Sequence, residues 1–90
     1  MSRWAAHQVF ASHRRHLRDQ LVRAADSVVL NLAEATALGP GDARRAQLRV
    51  ALGSAAEVAA ILDISDLPGA AERRSEVRRV GSMLAAMVRR

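Results

Sequence analysis

Apolar residues fall on helical spacing along nearly the whole chain. Leu17, Leu21, Ala24, Val28, Leu32 and Ala35 recur three and four positions apart, and Phe10 continues the stripe seven residues before Leu17. A second stripe of Val22, Val29 and Ala33 marks another side of the same segment. Leu48, Ala51, Leu52, Ala55, Val58, Ala59 and Leu62 repeat the pattern, and so do Val77, Val80, Leu84, Met87 and Val88. Two clusters break it: Gly39-Pro40-Gly41, and Ser65-Asp66-Leu67-Pro68-Gly69. Proline and glycine this dense end helices, and Asp42 and Asp66 (or Ser65) have side chains suited to cap the helices that follow. The pattern predicts helices over about 2–38, 43–64 and 70–89, an all-α up-down bundle in one domain spanning 1–90. His13-Arg14-Arg15-His16 is the one polar patch where the first helix could bend.

Composition sharpens this picture. Half the residues are hydrophobic but Trp4 and Phe10 are the only aromatics, so the core is built from Ala, Val and Leu. Such a core suits helix-on-helix packing and leaves one copy of 90 residues marginal, with association the usual remedy. Cysteine is absent, which excludes disulfides and thiolate chemistry. No segment reaches 18 uninterrupted apolar residues and no signal peptide precedes the first helix, so the expected setting is soluble and cytoplasmic, with no membrane partner.

The net charge is +5, from 14 arginines against 9 acids. Residues 69–90 hold six of the arginines and two of the acids. On the third helix Arg74, Arg78 and Arg89 lie within about 60° of one another. Glu72 and Glu76 share the opposite flank with Arg79, which Glu76 can pair at i,i+3. On the first helix Arg15, Asp19, Arg23 and Asp26 alternate in sign, with Arg14 and Arg18 outside that alternation. Arg14, Arg18, Arg74, Arg78 and Arg89 are the candidate phosphate contacts, beside the plainer reading of a solvated surface. With so few aromatics to stack on bases, such binding would be salt-sensitive and weakly sequence-specific.

Gln20 to Glu34 includes Arg23-Ala24, Ser27, Asn31 and Ala33-Glu34 at fixed spacing, and a second block reads Leu52-Gly53-Ser54-Ala55-Ala56-Glu57. Together they resemble the two motifs of the four-helix bundle family of 23S rRNA intervening-sequence proteins, which includes the accessory variability protein of diversity-generating retroelements. The resemblance implies a homopentameric barrel, which in the retroelement member has a basic surface that binds a reverse transcriptase and nucleic acid. It also implies a separate first helix and a Pro-containing turn before the glutamine. Only nineteen residues precede Gln20, none of them Pro or Gly, so the first helix is either short or fused with the second. A fused helix would reach about 52 Å and overhang its neighbours. Three helices would leave an open apolar groove for another subunit or another protein.

The motif residues carry structural expectations. Asn31, Glu34, Ser54 and Glu57 are expected to form a polar network between the first two helices. Gly53 mid-helix costs roughly 1 kcal/mol relative to Ala, and close approach to Ala24 or Ser27 would offset it. His13 and His16 stand three apart with no cysteine or Glu-x-x-His pattern beside them, so no metal is expected. Neither a nucleophile–base pair nor a glycine-rich phosphate loop is present, and neither an enzyme activity nor a cofactor is expected. The leading reading is an oligomeric adaptor for nucleic acid and a larger nucleic-acid enzyme such as a reverse transcriptase. The alternative is a protein-only scaffold whose groove takes up a partner helix.

Overall fold

The computed structural model describes residues 3–65 and 67–90, with side chains from residue 13 onward. Three helices follow one another: α1 (Arg3–Ala37), α2 (Asp42–Ile64) and α3 (Ala70–Arg89). Among the described residues there is no strand, and the fold is all-α. The Phe10 side chain and Asp66 lie outside the described set.

Both connections are short because glycine takes backbone angles closed to other residues. Gly41 has φ 145° and Gly69 sits in the left-handed region at φ 78°. These glycines also occupy the N-cap positions of α2 and α3, with no capping side-chain hydrogen bond. That corrects the expectation of aspartate or serine caps. Asp42 is instead the first residue of α2, where its charge complements the helix dipole and it binds Arg45 at 2.9 Å. The Ser65 hydroxyl turns back to the Leu62 carbonyl at 3.5 Å, at the end of α2.

The first helix is one continuous rod of 35 residues. At about 1.5 Å per residue it is some 52 Å long, close to the 57 Å long axis of the molecule. The 23 residues of α2, running back from Asp42, cover only about 34 Å of it. α2 therefore reaches the level of about Arg15, and the helix before that level overhangs the bundle. From residue 13 onward, residues 13–16 are exposed and Leu17 is the first buried side chain of α1.

The second helix is the spine of the packing. It lies against both α1 and α3, whereas the backbones of α1 and α3 do not come within 8 Å of each other among the described residues. One cluster joins Ala35, Leu48, Ala51, Ala55 and Leu84, with Val28, Leu32, Val80 and Met87 partly buried around it. A second joins Ala24, Val58 and Leu62. Alanines at 24, 35, 51 and 55 bring the helices close without large side chains, and Leu48 and Leu84 fill what remains. Ile61 is also buried, a position the inward stripe of α2 did not include.

Candidate nucleic-acid interface and apolar groove

Where α1 crosses α2, three small polar side chains meet. Ser27 Oγ and Ser54 Oγ are 2.7 Å apart, and Asn31 Nδ2 donates to Ser27 Oγ at 3.1 Å and to the Ser27 carbonyl at 2.8 Å. With Asn31 donating to it, the Ser27 hydroxyl is free to donate to Ser54. Each such bond contributes on the order of 1 kcal/mol and fixes the register of the two helices. Ala24 is buried one turn away.

Glu34 and Glu57 are exposed and stand outside this network, which corrects the expectation that they join it. Gly53 needs the same correction: it is exposed, and an added Cβ would meet nothing within 4 Å. One geometric cause covers all three. Each precedes an inward residue (Ala35, Val58 and Ser54, respectively) by one position, and one position turns a helical side chain by about 100°.

An apolar groove opens between the three helices. Ala25, Val28 and Val29 of α1, Ala55 and Val58 of α2, and Val77 and Val80 of α3 line a hollow of about 150 Å³. It exists because α1 and α3 flank α2 without closing on each other. Val22 and Val29, 58% and 66% exposed, extend its α1 wall outward. Leu30, Val50, Ile64 and Met83 are exposed elsewhere, so apolar surface is spread around the molecule.

The candidate arginines fall in separate places. Arg14 and Arg18 are exposed on α1 near the overhang, and Arg89 is exposed at the far end of α3. Arg78 borders a hollow between α2 and α3, beside Leu52, Ala56 and Gly81. Arg74 has no partner on its own helix but donates to Asp63 of α2 at 2.6 Å, so part of the expected stripe is neutralised across the helix pair. Glu76 pairs with Arg73 at 3.1 Å, which replaces the expected Glu76–Arg79 pair. Both ion pairs are substantially exposed and add little stability.

A further arginine cluster emerges from the packing. The start of α2 and the end of α3 lie side by side, and Arg44, Arg45 and Arg90 line a cavity of about 280 Å³ with Pro40, Gly41, Leu48 and Met87. Arg45 Nε donates to the main-chain oxygen of Arg90 at 3.5 Å. The first amide groups of α2, lacking a capping side chain, add positive potential there. Asp42 is the acid beside this cluster. Sequence spacing could not reveal it, because residues 44 and 90 meet only through the antiparallel packing of α2 and α3.

Among the described residues no three His, Cys, Asp or Glu side chains gather as a metal site. No helix among them is long and apolar enough to cross a membrane. These features define a small helical-bundle protein with a basic end and an open apolar groove. The family model for the 23S rRNA-intervening sequence protein matches residues 4–85, and the chain belongs to that family. No match is found among the curated proteins or the solved structures.

Proposed function

We propose that this chain is a non-catalytic, oligomeric helical adaptor that binds RNA or DNA in the cytoplasm and presents it to a larger nucleic-acid enzyme such as a reverse transcriptase. The observation that carries the reading is the arginine-lined end built by Arg44, Arg45 and Arg90 at the start of α2. Guanidinium groups beside uncapped helix amides suit phosphate oxygens. Arg14, Arg18, Arg78 and Arg89 supply further phosphate contacts, while Arg74 and Arg45 each contribute less because Asp63 and Asp42 already hold them, which leaves Arg44 and Arg90 as the main cations of the basic end. The family resemblance supports association and implies five copies, which at +5 each would carry a formal charge of about +25.

A filter-binding titration of a duplex RNA and a single-stranded DNA against salt tests this. The expected result is binding at about 50 mM salt that falls steeply towards 200 mM and barely depends on sequence. No binding at the lower concentration removes the nucleic-acid half of the proposal. The protein-only scaffold then takes its place, a reading favoured by the wholly apolar lining of the groove.

A further inference from the structure

The basic end of the molecule is a bounded cavity, and a bounded cavity selects a different part of a nucleic acid from an open basic face. Its volume of about 280 Å³ lies near the lower end of the range for small-molecule sites. A water takes about 30 Å³ in the liquid, so a bare phosphate group would leave most of this space empty. Pro40, Leu48 and Met87 make the rest of the wall apolar, and the polar side chains that line it are arginines. An occupant that suits such a wall joins a compact anion to a flat, largely apolar body. A single nucleotide has both parts.

Charge narrows the choice further. Arg45 is already engaged, by Asp42 at 2.9 Å and by the main-chain oxygen of Arg90 at 3.5 Å. The Arg44 and Arg90 side chains make no ion pair. Two guanidiniums with no carboxylate side chain opposite them match a phosphate monoester, which carries about −1.5 to −2 near neutral pH. A phosphodiester inside a strand carries a single charge. Monoesters stand only at strand ends. The base beside such an end is also the freest to enter a cavity, whereas a base within a duplex must first leave its stack.

We propose that this cavity takes the terminal nucleotide of a single strand, with its phosphate monoester on Arg44 and Arg90 and its base against Pro40, Leu48 and Met87. This deepens the nucleic-acid half of the proposed function and rests on it. The basic end grips a strand end, and the dispersed arginines meet phosphates along the strand. No hydroxyl, amide or carboxylate side chain lines the cavity, so base edges go unread and the preference is for an end of any sequence.

Fluorescence anisotropy on the wild-type chain at about 50 mM salt tests this with a short oligouridylate bearing a 5′-phosphate, a 3′-phosphate or hydroxyls at both ends. A phosphorylated end should bind roughly tenfold tighter than the hydroxyl form. An advantage confined to one end supports the proposal and gives the polarity of the bound strand. Arg44→Gln and Arg90→Gln should each lose most of that advantage while still binding the hydroxyl form. Arg49→Gln makes the same charge change at an exposed arginine of α2 outside the cavity, and should weaken all forms alike. An advantage that survives both cavity variants overturns the proposal. Uridine monophosphate should displace the phosphorylated strand at a lower concentration than inorganic phosphate does, and equal competition overturns the nucleotide as occupant. Displacement by oligoglutamate as readily as by the nucleotide overturns it in favour of an acidic protein segment. Equal affinity for phosphorylated and hydroxyl strands removes the end site but leaves the proposed function standing. No binding of any strand removes both.

Discussion

Replacing Leu84 with alanine is expected to lower stability by about 2–5 kcal/mol, the largest loss among single core substitutions in this chain. Leu84 is fully buried against Ala35, Leu48, Ala51 and Ala55, where all three helices meet. Three of its four fully buried neighbours are alanines, which have no side-chain length with which to relax into the cavity. Small domains have only about 5–15 kcal/mol in total, so the midpoint of thermal unfolding should fall by more than about 10 °C. Met83→Ala, one position away and 52% exposed, is the matched control, with a change within about 0.5 kcal/mol. Circular dichroism at one fixed protein concentration compares the two, since the proposed association would make stability concentration-dependent. Equal effects at positions 83 and 84 would contradict the packing described here.

The second large effect is electrostatic. Reversing two charges with Arg44→Glu and Arg45→Glu should weaken RNA binding by about 10–100-fold at low salt and flatten the dependence of log affinity on log salt by about 2. Both side chains line the basic cavity, and the one ion pair lost, Arg45–Asp42, is exposed enough that the fold should survive. Arg74→Ala should have a smaller effect, because it removes one charge that Asp63 already offsets, whereas the double reversal changes the charge by four and includes Arg44, for which no ion pair is seen. Affinity that is indifferent to the double reversal, but sensitive to Arg74, would move the interface to the Asp63 side of the bundle.

The helices were legible in the sequence because their signals are local. Gly39-Pro40-Gly41 and Leu67-Pro68-Gly69 place the breaks, and the spacing of Leu48, Ala51, Ala55 and Val58 gives α2 its inward face. The end of α1 and both ends of α2 and α3 lie within a residue of the expected ones. The single long α1 was one of two readings of a segment without proline or glycine, and the structure adopts it. The site was less legible. Glu34, Glu57 and Gly53 lie off the apolar stripes and are expected inward only because they belong to the two motifs; periodicity sets them one position, a turn of about 100°, from Ala35, Val58 and Ser54. Salt bridges between helices, such as Arg74–Asp63, and the meeting of Arg44 and Arg45 with Arg90 depend on which helices run side by side. No spacing within one helix encodes that.

Light scattering on the purified wild-type chain at micromolar concentration tests the central claim most directly. Exposed Val22, Val29, Leu30 and Ile64, together with the open groove, predict a mass of at least two chains, held upon dilution into the low micromolar range. A single folded chain under those conditions would contradict the account.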